Sequence, residues 1–303
     1  MERAQRIERV SAEAFAKAHL APGIPVIVTG AMADWPALEK WTPEWFAEVH
    51  GERKIPTYGT YFDFRGAMRL RDYVERYLVG APKQPIRYAR WFTLHQRVPD
   101  AQRFPWADEI FVHLRDDWRH PSFLPTTGYL FPFTPPGTEL DIPSGTTVPS
   151  KALYLSPAGA VTNLHLDYWG SDAMLVQVHG RKEVVLYAPE DAKYLVREGG
   201  PAMLGTSGGR HFADIKNPDL EAFPDFAKAR PVVHDTLEPG EIAYIPMGWL
   251  HHVDTLTTSI TLTWNFAHSA SFRRWFEWLQ GNPPAAEIDD IRYILHDDPH
   301  RLM

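Results

Sequence analysis

The chain contains no cysteine. That absence excludes disulfides, zinc–thiolate centres, iron–sulfur clusters and cysteine nucleophiles, so any metal must be held by His, Asp, Glu or weaker oxygen donors. There is no long run of Lys or Arg, and the formal net charge is -7. Nucleic-acid binding normally draws on a basic surface that displaces counterions from phosphates, so this balance argues against a nucleic-acid partner. No stretch approaches the roughly 18–20 apolar residues of a membrane-spanning helix. The first residues, Met1-Glu2-Arg3-Ala4-Gln5-Arg6, lead into a mixed polar segment without the apolar core of a signal peptide. These absences together predict a cytoplasmic protein with no membrane contact.

The chain is rich in other things. Its 303 residues, 44% of them apolar, suffice for a substantial core. The 11 Trp, 12 Tyr and 16 Phe are core fillers in the main, with a minority available to line a groove. Residues 11–19 read as a helix capped by Ser11, and residues 25–30 as a short β-branched strand closed by Gly30. A loop is expected over 34–41. Thr42 then caps a second helix with Pro43 at its first position, and 69–79 reads as a third. Residues 98–150, rich in Pro, Gly and aromatics, are expected to be loops with short helices. From Lys151 the character changes to short apolar runs. Strands are expected at 152–155, 161–167, 173–179, 183–187, 241–245, 251–255 and 259–266, with a Pro/Gly-containing insertion at 189–236. This is a mainly β pattern with flanking helices, an antiparallel barrel or sandwich. Residues 271–279 and 287–296 read as helical. The expected organisation is therefore one domain over 1–270, with a C-terminal helical segment over 271–303 that either caps the barrel or forms a dimer contact.

One constellation carries chemistry. In His165-Leu166-Asp167, an extended backbone puts the two polar side chains on one face. A third ligand must come from elsewhere, and the Gly-turn-strand-Pro-turn-strand unit running from Pro239 to Val253 offers His251 or His252. Strand alternation points only one of that pair inward, and the pattern alone leaves the choice open. His179, His234 and His268 read as ordinary polar histidines. Two imidazoles and a carboxylate on one face of an octahedron leave three positions for a chelating co-substrate and O2, as non-haem iron(II) oxygenases require.

The motifs His165-x-Asp167, Gln177-Val178-His179-Gly180-Arg181-Lys182 and Ile245-Pro246-x-x-Trp249-x-His251-His252-Val253 occur in that order. With Pro25-Val26-Ile27-Val28 and Asp34-Trp35-Pro36-Ala37-Leu38-x-x-Trp41 before them, they resemble the JmjC or cupin-like 2-oxoglutarate oxygenases. The chain is most similar to the small hydroxylase branch. That branch includes the asparaginyl hydroxylase that inhibits hypoxia-inducible factor and bacterial cupin-like proteins. The resemblance runs from about residue 6 to about residue 268. It implies a double-stranded β-helix, a jelly-roll barrel, over the 1–270 domain, and iron(II), 2-oxoglutarate and O2 as cofactors. It also implies His251, not His252, as third metal ligand beside His165 and Asp167. Lys182 matches the lysine that binds the distal carboxylate of 2-oxoglutarate, a role physics favours because an unpaired buried carboxylate is costly. Thr162, Asn265 and Tyr88 match further co-substrate contacts, each with a plain alternative as a core or capping polar group.

The sequence departs from the family between Tyr168 and Ala173. Many members carry an asparagine shortly after His-x-Asp, and Ala173 stands in the equivalent place here, in a longer segment. Ser171 is a candidate replacement for the missing contact. Tyr168, Trp169, Ser171 and Trp249 are candidate substrate-lining residues. The implied reaction is hydroxylation of a C–H bond in a protein or peptide side chain, with release of succinate and CO2. The alternatives are N-methyl-lysine demethylation, hydroxylation of a small molecule or tRNA base, and, in a different class, a non-oxygenase metal-binding cupin.

Overall fold

The computed structural model describes residues 3–60, 64–92, 107–130, 151–167, 170–197 and 211–281. Fifteen strands lie among them. The N-terminal part supplies β1 (Arg6–Glu8), β2 (Val26–Thr29), β3 (Lys54–Tyr58), β4 (Phe64–Arg69) and β5 (Tyr88–Phe92). Then come β6 (Lys151–Ser156), β7 (Val161–His165), β8 (Asp172–His179) and β9 (Lys182–Tyr187). A small pair, β10 (Val196–Arg197) and β11 (His211–Phe212), precedes β12 (Val233–Leu237), β13 (Ile242–Ile245), β14 (Leu250–Thr255) and β15 (Ser259–Phe266). The helices are α1 (Ala12–Phe15), α2 (Ala37–Lys40), α3 (Pro43–His50), α4 (Leu70–Tyr73), α5 (Ala107–Leu114), α6 (Ala192–Leu195) and α7 (Phe272–Gly281).

Eight strands make the barrel. One sheet runs β13-β8-β15-β6 and the other β12-β9-β14-β7. Every pairing within the two is antiparallel. The chain passes from one sheet to the other at almost every turn, which is the jelly-roll, double-stranded β-helix expected from the motifs. The larger sheet grows to nine strands by adding β2 and β1 at one edge and β5, β3 and β4 at the other.

Period-two patterning explains why β8 is buried on both faces. Ala173 and Leu175 turn inward, among apolar residues of the opposing sheet such as Val184, Leu186 and Val253. Met174, Val176 and Val178 turn outward into the main core with Phe15, Trp41, Phe46 and Trp264. The outer face of the smaller sheet is covered by the insertion: Leu195, Phe212 and Phe223 pack on Leu164, Val185 and Leu250.

The expected local elements hold in most places. Ser11 Oγ accepts from the Ala14 amide at 3.2 Å and Thr42 Oγ1 from the Trp45 amide at 3.1 Å, the two caps foreseen. Both the 11–19 and 69–79 helices widen into a π-helical turn, at Ala16–Leu20 and Val74–Leu78. Three differences stand out, the first two with a physical cause. The segment 34–41 is not all loop, because Asp117 binds Lys40 Nζ at 2.8 Å and Trp41 Nε1 at 2.9 Å and so holds α2. The insertion ends earlier than 236, because β12 is a barrel strand. Its polar run His234-Asp235-Thr236 lies at a sheet edge and is half-buried, so no apolar signal marks it. The strand expected over 161–167 stops at His165.

The α7 helix lies on its own barrel. Trp275 is buried in the main core and Trp278 is packed against it, while Phe272 and Phe276 are exposed and stacked on each other at 5.8 Å. The helix expected over 287–296 lies outside the described residues.

Candidate metal centre and co-substrate pocket

His165 and His251 are register partners across β7 and β14. Their rings lie 4.0 Å apart between centroids. Asp167, just past the end of β7, brings Oδ1 to 4.0 Å from His165 Nε2 and Oδ2 to 3.7 Å from His251 Nε2. One donor atom from each residue falls within 4.8 Å of the others, and no other such His/Asp/Glu cluster occurs among the described residues.

The backbone fixes which ring nitrogen faces the centre. His165 Nδ1 lies 2.8 Å from the Asn163 carbonyl and His251 Nδ1 lies 3.1 Å from the Trp249 carbonyl. A carbonyl can only accept, so each Nδ1 carries a proton, and Nε2 is the nitrogen left to face the centre. That is the second-sphere arrangement of metal-bound histidines. Burial, reinforced by the neighbouring His251, pushes the His165 pKa well below the usual imidazole value. The ring is therefore neutral, as a ligand must be. Burial raises the Asp167 carboxyl, opposed by His251 and by a hydrogen bond from Asn265. Two imidazole Nε2 donors and one carboxylate suit a divalent iron-type ion that keeps open positions.

The pair His251–His252 is resolved by the structure. His252 is buried on the opposite side, with Nε2 3.1 Å from Asp254 Oδ2, which also binds Lys216 Nζ at 2.6 Å. His179, His234 and His268 stand apart from the metal centre. His234 pairs with Glu183 at 3.1 Å, and His268 caps the turn before α7 by accepting from the Ala270 amide at 3.0 Å.

A pocket of about 470 Å³, counting the open solvent at its mouth, runs from the triad into the barrel. Its walls include Tyr88, Tyr154, Thr162, Lys182, Asn265 and Ala173. Lys182 is 1% exposed. Its Nζ donates to Tyr88 Oη at 2.6 Å, its sole hydrogen-bond partner among the described residues. Burial lowers the ammonium pKa, and among the described residues no carboxylate compensates it. A buried cation whose partners are the Tyr88 hydroxyl and, at 5.7 Å, the Tyr154 ring still lacks a counter-charge, and the distal carboxylate of 2-oxoglutarate fits that need. Burial alone would raise the Tyr88 pKa, but the charges of Lys182 and Arg90 hold it below the usual phenol value.

Thr162 faces the same pocket through a β-bulge. From Val253 to His251 the chain of β14 advances two positions, while its partner β7 advances three, from Thr162 to His165. The extra residue turns both Thr162 and His165 inward, which strict alternation would forbid. Asn265 donates to Ser171 Oγ at 3.1 Å as well as reaching Asp167. Ser171 is buried and its hydroxyl is linked to Asp167 through Asn265, while Ala173 is part of the pocket wall. Trp249 is engaged elsewhere: its indole Nε1 donates to the Gly23 carbonyl at 3.1 Å, and it is not among the pocket-lining residues. Tyr168 and Trp169 lie outside the described residues.

Tyr154 and Thr263, half-buried in the pocket wall, are polar residues that the motifs did not single out, and so is Arg90, a buried residue beside the pocket. It is fully buried, with its guanidinium 4.1 Å from the Tyr88 ring centroid. The available signal was its place two residues from Tyr88 on one strand, hence on the same face.

A jelly roll that presents two imidazoles and a carboxylate at the mouth of a lysine-ended pocket defines a cupin-type metal centre. Comparison with known proteins agrees. A family model described as "Cupin-like domain" matches residues 11–272. The chain is 29% identical over 265 residues to lysine-specific demethylase 8 of Danio rerio, covering 85% of this chain and 57% of that protein. It is 28% identical over 280 residues to lysine-specific demethylase JMJ30 of Arabidopsis thaliana, covering 88% and 56%. It is 26% identical to human tRNA wybutosine-synthesizing protein 5, covering 93% of this chain and 84% of that protein. The chain spans little more than half the length of the two demethylases it matches. It belongs to the cupin-like, JmjC-type family, whose members depend on iron(II), 2-oxoglutarate and O2.

Proposed function

We propose that this chain is an iron(II)- and 2-oxoglutarate-dependent oxygenase that hydroxylates a C–H bond in a protein or peptide side chain. The observation that carries this is the pairing of two sites in one pocket: the His165–Asp167–His251 donor set at one end and the buried, carboxylate-free Lys182 at the other. Bound iron and 2-oxoglutarate supply the power to activate O2 and oxidise an unactivated C–H bond. The chain itself orients and encloses. His165, Asp167 and His251 hold one face of the metal. Lys182 and Tyr88 anchor the far carboxylate of the co-substrate, with Thr162 as a further hydroxyl on its path. The apolar wall of Leu175, Ile245 and Val253 keeps water away from the reacting groups. No side chain is required as a strong acid or base.

A protein or peptide substrate is supported by the relatives named as lysine-specific demethylases, which act on protein side chains. A second reading, hydroxylation of a tRNA base, is favoured by one observation. The relative named for wybutosine synthesis is matched over 84% of its own length. The net charge of -7 counts against it. The test is to incubate the protein with iron(II), ascorbate and 2-oxoglutarate, offering peptide pools and total tRNA separately. The expected result is succinate release with a one-oxygen mass gain in peptide. A gain confined to tRNA would select the second reading. A protein that binds no 2-oxoglutarate in the presence of metal would overturn both.

A further inference from the structure

Arg90 is a cation with no exposed surface, projecting from β5 across the barrel. Its Nη2 donates to Thr162 Oγ1 at 3.3 Å, on the smaller sheet, and its Nη1 to the Gly59 carbonyl at 3.1 Å. Its guanidinium lies over the ring of Tyr88. Arg90 thus touches two of the groups that face the co-substrate end of the pocket, Thr162 and Tyr88, without being part of the pocket wall itself.

The chemistry of these contacts is directional. A hydroxyl has one hydrogen to give and two lone pairs to accept with. Thr162 Oγ1 accepts from Arg90, which can only donate, so the Thr162 hydrogen is free to point into the pocket. A guanidinium always carries its charge and its planar fork has fixed donor directions, so this polarity does not depend on a tautomer or rotamer. The same plane stacked on Tyr88 fixes the phenol that receives Lys182 Nζ.

We propose that Arg90 is a positioning residue for the anionic co-substrate: it turns Thr162 into a hydrogen-bond donor toward the carboxylate and locks the Tyr88 ring beside Lys182. This rests on the reading of the pocket as a 2-oxoglutarate site. It predicts that Arg90 and Thr162 act as one unit.

The experiment is a double-mutant cycle on the dissociation constant of 2-oxoglutarate. It is measured by calorimetry on full-length protein loaded with Mn(II), without turnover, for wild type, Arg90→Met, Thr162→Val and the double variant. Arg90→Met is expected to weaken 2-oxoglutarate about tenfold with Mn(II) affinity within twofold of wild type. Thr162→Val should weaken it similarly, and Arg90→Met should add no more than about twofold in the Thr162→Val background. If Arg90→Met does not fold, Arg90→Gln, which keeps an N–H donor for Thr162, replaces it and should lose less than threefold. Equal losses from Arg90→Met in both backgrounds, no loss in folded Arg90→Met, or, where Arg90→Gln replaces it, a loss as large as that of Thr162→Val, overturn the role of Arg90 alone. A wild type that binds Mn(II) but no 2-oxoglutarate overturns this inference together with the reading it rests on.

Discussion

Lys182 of β9 and Tyr88 of β5 reach each other from opposite sheets, and the ammonium donates to the phenol oxygen at 2.6 Å. A phenol in its un-ionised form does not offset the ammonium's charge, so the pair leaves a place for an anionic third partner. Lys182→Met removes a desolvated cation from the ligand-free protein and should leave the Tm equal or higher. Its 2-oxoglutarate affinity should fall by roughly 30-fold to several thousand-fold, the range for truncating one member of a buried charge pair. Calorimetric titration checks the affinity and a thermal melt checks the fold. Unchanged affinity in a folded variant would remove Lys182 from the site.

The choice of third ligand can be tested on neighbouring residues. His251→Ala should abolish stoichiometric iron binding, measured by elemental analysis after anaerobic loading. His252→Asn should keep it, because the His252 ring is turned toward Asp254 at 3.1 Å and away from His165. Loss of iron in His252→Asn with retention in His251→Ala would reverse the assignment.

The barrel strands were legible because β8, β9, β13 and β15 are apolar runs separated by Gly or Pro turns, and the metal motifs mark their positions. What stayed hidden has particular causes. The strand β12 sits at a sheet edge, so His234, Asp235 and Thr236 carry no alternation. The strands β3 and β4 pair across a register irregularity between Pro56 and Tyr58, which breaks their period. Thr162 and His165 share the pocket only because of a bulge, and a bulge leaves no compositional mark at a Val-Thr-Asn-Leu-His run. Arg90 was hidden for another reason: a charged residue is ordinarily read as solvent-facing, and only the packed structure shows it fully buried.

Two glycines of the same backbone conformation should respond differently to substitution. Gly180, in the turn that aims Lys182, has φ +70, and a Cβ there would lie 1.9 Å from the Thr258 carbonyl oxygen. Gly80 has φ +75 with nothing within 4 Å. Gly80→Ala should cost only the left-handed backbone penalty, about 1 kcal/mol. Gly180→Ala must also displace backbone, and should cost more than about 3 kcal/mol. Urea unfolding of both variants compares them, and equal losses would show that the Gly180 turn yields without strain.

His50 gives the fold a dependence on acidity that is separate from the metal centre. It lies at the end of α3, 5.3 Å from the Trp45 ring and 6.1 Å from His113 between ring centroids. Burial, followed by the positive charges of Arg53, His113 and Lys40, lowers its pKa from 6.5 to about 4. Between those values the unfolded chain binds a proton that the folded chain refuses, so stability rises with pH across this window. The contribution of neutral His50 is complete above about pH 6.5 and is lost as the pH falls toward 4. Replacing it with Gln removes that proton linkage. The Tm difference between wild type and His50→Gln, measured at intervals from pH 7.5 to pH 4.5, should therefore be most favourable to wild type at the top of the range and shrink or change sign at the bottom. A difference that stays constant across the range would show that His50 does not carry the acid sensitivity.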